Sequence, residues 1–261
     1  MESGARLIEG EALEALKVMW AGSFCLFVAD PPYLLDRMPR VRRRHLRAMD
    51  GGGLDWGRLF RELYRVMRQD SALLLFGHLS SFLRLAPLAE SVGLGYVTDI
   101  VWVKPVPVNF LQARKKPLSR HELITVWRKG KLRYNWEEAA EPGKPYASGT
   151  SGQCDFYDVK MARRANPGIR FMTDVIEAPN KPCMPREERT PHPTQKPLAL
   201  IRKLVKAFSF PGECVLDPFA GSGTTMVACR ELGRECVGIE IDPEYAEMIR
   251  RRMLEVFEAA L

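Results

Sequence analysis

Short apolar runs punctuate the chain at Arg6–Ile8, Phe24–Ala29, Ala72–Phe76, Val97–Val103, Leu123–Trp127, Cys214–Leu216 and Cys236–Ile239, each closed by a loop signal. Their brevity and continuous apolar character suit strands buried on both faces. Between them, apolar residues recur at helical spacing over Ala12–Met19, Trp56–Met67, Ser80–Ser91, Pro197–Phe208, Thr224–Leu232 and Pro243–Phe257. Strands alternating with helices of this length predict an α/β fold with a mostly parallel sheet covered on both sides. Two regions break the alternation. Residues 34–55 carry Arg37, Arg40, Arg42, Arg43, Arg44 and Arg47 ahead of Gly51-Gly52-Gly53, and read as a mobile basic loop with a glycine hinge. Residues 131–190 are rich in Pro, Gly and charge, with weak periodicity. That stretch is far too long for an ordinary connection and is expected to form an irregular inserted lobe.

Composition narrows the picture modestly. Hydrophobic residues make up 46% of the 261, enough for a substantial core. No apolar run approaches the ~18 residues of a membrane span, and no signal-peptide pattern opens the chain. A cytoplasmic protein without membrane contact is the expectation. Thirty-nine Lys+Arg against 32 Asp+Glu give a formal charge of +7, which favours a polyanionic partner without requiring one. The six cysteines show neither a C-x-x-C pairing nor a zinc-type spacing. Reduced thiols and no structural metal follow.

The strongest local signal is Val215-Leu216-Asp217-Pro218-Phe219-Ala220-Gly221-Ser222-Gly223-Thr224-Thr225. An apolar strand ends in a carboxylate, and a turn of small residues opens a helix. Gly221 and Gly223 remove Cβ atoms where a ligand must approach the backbone. About 20 residues further, after Val237-Gly238-Ile239, stands Glu240, an acid at a strand tip suited to ribose hydroxyls. The whole arrangement points to an adenosine-type ligand. No Gly-Lys-Ser/Thr follows the turn, which disfavours a phosphate-binding loop. Asp217 would repel a pyrophosphate but suits ammonium and sulfonium charges, which favours S-adenosylmethionine over NAD.

A second candidate lies at Asp30-Pro31-Pro32-Tyr33, where the Phe24–Ala29 run stops. Proline has no N–H to continue a ladder. The resulting strand end is almost acceptor-only, because Asp30 offers carboxylate oxygens and the prolines offer carbonyls. Such an edge complements an NH₂ donor. Tyr33 supplies a flat face for a planar base, worth roughly 1–3 kcal/mol by stacking. An aromatic amine is a poor nucleophile because its lone pair is delocalised. Hydrogen bonds to Asp30 and to a proline-turn carbonyl would draw the nitrogen towards tetrahedral geometry, leaving in-line placement as the remaining task.

With these patches in hand, the sequence resembles the amino-group DNA methyltransferases, N6-adenine and N4-cytosine, in the β subgroup where the tetrad precedes the glycine loop. Three segments carry the likeness: Asp30–Tyr33, His192-Pro193-Thr194-Gln195-Lys196-Pro197, and Asp217–Thr225. Weaker echoes are Ile8-Glu9-Gly10-Glu11, Ile100-Val101-Trp102-Val103-Lys104-Pro105 and Arg120-His121-Glu122. The resemblance implies a permuted Rossmann-like methyltransferase fold, with a seven-stranded, mostly parallel sheet containing one antiparallel strand, for which Leu123–Trp127 is the candidate. It implies a catalytic and cofactor-binding domain from 1–130 and 191–261, with 131–190 as the target recognition lobe. It assigns catalysis to Asp30, Pro31, Pro32 and Tyr33. Cofactor contacts fall to Asp30, Thr194, Gln195, Lys196, Asp217, Phe219, Gly221, Gly223, Thr224 and Glu240. Glu11 stands where the family usually has an Asp for the cofactor's adenine amino group.

The partner implied is double-stranded DNA, and a target base must be flipped out to reach a buried methyl donor. Arg40, Arg42, Arg43 and Arg44 are placed to clamp phosphates, and Arg133, Arg163 and Arg164 of the inserted lobe to hold DNA. The likeness also allows a homodimer and a cognate restriction endonuclease. Asp at the head of the tetrad favours adenine N6, since cytosine enzymes of this subgroup more often carry Ser. Cytosine N4 methylation is the first alternative. A non-catalytic DNA-binding protein with a vestigial nucleotide pocket and an NAD-dependent oxidoreductase are the readings from other classes. RNA or protein-amide methylation normally has the cofactor loop first.

Overall fold

A computed structural model describes residues 4–31, 54–108, 110–148, 153–154, 159–160, 164–166 and 168–258. The strands are β1 (Ala5–Glu9), β2 (Phe24–Ala29), β3 (Met67–Gly77), β4 (Gly95–Val108), β5 (Ser119–Lys129), β6 (Glu141–Pro142), β7 (Tyr146–Ser148), β8 (Gln153–Cys154), β9 (Val159–Lys160), β10 (Arg164–Asn166), β11 (Ile169–Arg170), β12 (Val175–Glu177), β13 (Cys214–Asp217) and β14 (Glu235–Glu240). The helices, numbered in chain order, are α1 (Ala12–Lys17), α2 (Trp56–Val66), α3 (Leu79–Ser91), α4 (Trp136–Ala139), α5 (Leu198–Phe208), α6 (Thr224–Glu231) and α7 (Pro243–Glu258).

One sheet organises the fold, in the order β1-β14-β13-β2-β3-β5-β4-β12. Every pairing is parallel except those of β5, which runs antiparallel to both β3 and β4. The antiparallel strand is therefore the one expected at Leu123–Trp127. Alternation along β3 divides the core. Leu74 and Phe76 face Leu200, Ile201 and Leu204 of α5 and Met226 of α6, while Leu73 and Leu75 face Leu59, Phe60 and Leu63 of α2 and Phe82 of α3. Each such side chain contributes roughly 1.5–3 kcal/mol by leaving water. β2, buried at every position, sits at the centre between β13 and β3.

The sheet has eight strands rather than the seven expected. The extra one is β12, whose Val175, Ile176 and Glu177 pair with Val101, Trp102 and Val103 of β4. It covers the otherwise open edge of a long strand. Ile176 and Ala178 are buried, and the Trp102 indole donates to the Ala178 carbonyl at 2.9 Å. Three residues are too few to show a period, which is why the sequence pattern missed this strand. The end of the 131–190 stretch thus belongs to the main sheet. Its earlier part supplies three short antiparallel pairs, β6 with β11, β7 with β10, and β8 with β9.

The direction in which connections progress across the sheet reverses between β13 and β2, although the two strands run parallel. From β13 the chain crosses to β14 on one side, and from β2 it crosses to β3 on the other. A crevice at the carboxyl ends of strands flanking such a switch point is where open α/β sheets hold ligands. Asp30 and Asp217 stand there.

Candidate active site

The glycine turn is built on backbone hydrogen bonds. After β13, the Phe219 N–H donates to Asp217 Oδ1 at 3.0 Å, and the Gly221 N–H donates to Glu240 Oε2 at 2.7 Å. Glu240 Oε1 accepts from the Asp242 N–H at 2.9 Å, so each carboxylate oxygen is oriented by main chain. Gly221 has φ +53° and Gly223, which precedes α6, has φ +72°. Other residues resist these values. A Cβ on Gly221 would lie 3.1 Å from the His192 ring, and one on Gly223 3.1 Å from Ile249. Behind the turn, Arg252 of α7 donates to the Ser222 carbonyl at 2.8 Å and to Thr224 Oγ1 at 3.1 Å. Thr224 is buried, with its hydroxyl also 2.9 Å from Ser222 Oγ, and Phe219 is half-buried beside the turn.

Electrostatics suit a cationic ligand here. Burial pushes the Asp217 carboxyl up to about 7, and the Asp30 and Glu240 carboxylates add to the push against the hydrogen bonds from Thr225 and Phe219. Glu240 is likewise raised by burial, against its bonds from Asp242 and Gly221. A positive ligand between them relieves both. The bare turn fits the sulfonium and ammonium charges of S-adenosylmethionine.

The segment expected from the likeness around His192 divides by role. Gln195 is buried, and its Oε1 accepts from the Thr190 N–H at 2.7 Å and the Thr190 hydroxyl at 2.9 Å. Its Nε2 donates to the Glu188 carbonyl at 2.7 Å, so the amide shapes the loop that precedes α5. Thr194 is exposed. His192 was not singled out from sequence, yet its ring lies over Gly221 and packs edge-on against Tyr245 at 4.6 Å. Burial, helped by the charges of Lys196 and Lys181, lowers the imidazole to about 4. Its buried Nδ1 has no hydrogen-bond partner among the described residues. Glu11 lies just past β1, where the Gly10 N–H donates to the Glu240 carbonyl at 2.8 Å. Its side chain caps α1 by accepting from the Glu14 N–H at 2.9 Å.

Lys196 links this half to the other. Its Nζ donates to Asp30 Oδ2 at 2.5 Å and lies 3.4 Å from Glu122 Oε2. Glu122 also pairs with Lys104. The Lys196 ammonium sits 5.2 Å from the centre of the Phe76 ring. Asp30 and Pro31 are described, whereas Pro32 and Tyr33 lie outside the described residues. Glu122 and Lys104 come from two of the three weaker sequence echoes. Their residue types were visible there, but a buried pairing between separate strands has no signature in one dimension.

Most of the expected DNA contacts fall on residues that the structure does not describe. Arg40, Arg42, Arg43, Arg44 and Arg163 lie outside the described residues, and only the backbone of Arg164 is described, in β10. Arg133 stands elsewhere. It pairs with Glu213 and lies 4.5 Å over the Phe210 ring, just before β13 begins. That is the amino end of a strand whose carboxyl end carries Asp217, so Arg133 braces the opposite end of the sheet.

Comparison with known proteins bears on the family and the fold. The model of an N6/N4 DNA methylase family matches residues 24–251. The chain is 30% identical over 255 residues to the type II methyltransferase M.HpaI of Haemophilus parainfluenzae, covering 95% of this chain and 74% of that protein. It is 36% identical over 173 residues to M.SmaI of Serratia marcescens, covering 66% and 50%. Among solved structures, an M1.HpyAVI–SAM complex superposes with a TM-score of 0.62 at 20% identity, covering 95% of this chain and 98% of that one. The cytosine-N4-specific PvuII DNA methyltransferase reaches 0.68 at 13% identity, with 98% and 92% covered. At these identities the structural likeness speaks for the fold alone.

Proposed function

The chain belongs to the N6/N4 DNA methylase family, and from that premise we propose that it transfers a methyl group from S-adenosylmethionine to the N6 amino group of adenine in duplex DNA. The observation that carries this reading is the placement of Asp30 at the end of β2, across the switch-point crevice from the Asp217–Gly223 turn. Bound there, S-adenosylmethionine supplies an activated methyl attached to sulfur. Asp217 and Glu240 would hold its charged and ribose parts, and Gly221 would let it approach the backbone.

The protein's task on the acceptor side is placement. A flipped adenine offers two N–H donors. Asp30 and the Pro31 carbonyl would accept them, freeing the nitrogen lone pair for in-line attack. Tyr33, by the family likeness, would stack on the ring. As the nitrogen takes the methyl, the methyl–sulfur bond would break to leave a neutral thioether, and the proton the nitrogen gives up would pass by way of the Asp30 carboxylate to water. Adenine is preferred over cytosine because the tetrad begins with Asp, the residue the adenine enzymes favour. The part of residues 131–190 ahead of β12, with Arg163 and Arg164, and the arginines at 40, 42, 43 and 44 are assigned to recognition and phosphate contacts.

Incubating the protein with genomic DNA and methyl-labelled S-adenosylmethionine, then digesting to nucleosides, tests this directly. Labelled N6-methyldeoxyadenosine is expected. Label found only in N4-methyldeoxycytidine would overturn the base assignment, and no label in DNA would overturn the proposed reaction.

A further inference from the structure

Behind Asp30 lies a chain of four charges drawn from four separate elements. Asp30 follows β2, Lys104 is on β4, Glu122 is on β5 and Lys196 precedes α5. Their signs alternate from Asp30 to Lys196, Glu122 and Lys104, with contacts at each step. The side chains of Lys104, Lys196 and Glu122 are only 6%, 10% and 12% exposed, and that of Asp30 22%. Trp102 and Phe76 present their rings to the two ammonium groups. Burial alone would favour a neutral Glu122. The Lys196 and Lys104 charges outweigh it and hold the carboxyl below its ordinary range. His78 faces the same chain and is shifted down, chiefly by burial, so it stays neutral near pH 7.

Buried ion pairs are weak sources of stability, because losing water offsets most of their attraction. A chain like this therefore needs a reason beyond folding, and the Asp30 carboxylate at one end of it is the group proposed to meet the substrate. An ammonium with one anionic partner closes onto it. With a second carboxylate on another side, the same ammonium takes a position set by both, and the first carboxylate is fixed in turn. We propose that Glu122 is a positioning residue for methyl transfer: sharing Lys196 with Asp30, it fixes the carboxylate against which the target amine docks, and Lys104 anchors Glu122. Without Glu122, Lys196 would be drawn more fully to Asp30 and compete with the amine for it.

The inference rests on the methyl-transfer reading, so the wild-type protein is assayed alongside the variants on the same DNA. Glu122→Gln is expected to lower kcat about tenfold or more, while KM for S-adenosylmethionine and for DNA stays within about twofold. That variant leaves the Lys104 cation buried with a weaker partner, which lowers the melting temperature. The double variant Lys104→Met/Glu122→Gln removes the pair as a unit and should restore the melting temperature without restoring kcat. Recovery of kcat together with melting temperature would overturn the proposal, since the role would then be purely structural. So would an undiminished kcat in Glu122→Gln, or a loss confined to KM. If the wild type itself labels no DNA, it is the underlying reaction that fails.

Discussion

The glycine turn after β13 and the charge chain behind Asp30 share one end of the sheet, yet they hold their polar groups in opposite ways. The turn is a backbone device. Glu240 and Asp217 are oriented by the N–H groups of Gly221, Asp242 and Phe219, and the shape depends on positive φ at two glycines. The charge chain is a side-chain device, in which three strands and a helix entry each lend one ion. A backbone device is local and survives changes elsewhere. A chain of side chains depends on the packing of distant segments. The turn should therefore govern cofactor affinity, and the charge chain the rate of transfer.

The sharpest break in that comparison is Asp30→Asn. It keeps the size and one acceptor but removes the charge, and kcat should fall by about 10³-fold. Calorimetric affinity for S-adenosylmethionine should fall far less, by no more than about tenfold. A matched loss of both would mean that the two halves do not divide the work.

Gly221→Ala sharpens the other side. Alanine at φ +53° is strained, and its Cβ meets the His192 ring. Cofactor affinity should fall about tenfold, equivalent to about 1.4 kcal/mol. At saturating cofactor, kcat should stay within about twofold. A drop in saturated kcat with unchanged affinity would reverse the assignment.

The smallest expected effect is a pH dependence of stability. Asp217 titrates near 7 in the folded, ligand-free protein against an ordinary 3.8. Below both values the group is protonated in either state and imposes no penalty. As pH rises through this window the unfolded chain ionises first, and the folded protein loses stability. Asp217→Asn should remove that slope, leaving its melting temperature higher than wild type at pH 8 by on the order of 5 °C. Added S-adenosylmethionine should raise the melting temperature of wild type at pH 8 and raise that of the variant less. Parallel pH curves for the two proteins would contradict the raised Asp217.

Much of the fold was legible because its signals are local. A buried central strand such as Phe24–Ala29 must be continuously apolar, and β5 shows its own run at Leu123–Trp127. The glycine turn was legible for the same reason, since Asp217, Gly221 and Gly223 act within a few residues of one another. β12 was not, because a three-residue edge strand is defined by the neighbour it pairs with. Arg133 reads as a DNA contact in a basic stretch, and only its position beside Glu213 and Phe210 reveals a brace at the far end of the sheet.

By itself, then, the sequence determined the class of fold, the strand-end carboxylates and the turn that suits an adenosine-type ligand, all of which depend on neighbours along the chain. Tertiary structure alone decided which charges meet. Lys196 reaches Asp30 across 166 positions, and Glu122 reaches Lys104 across 18. Coulombic contact depends on distance in space and on exclusion of water, and neither is written in residue order. The family echoes contain Glu122 and Lys104, but only folding brings them together and sets Glu122 beside Lys196.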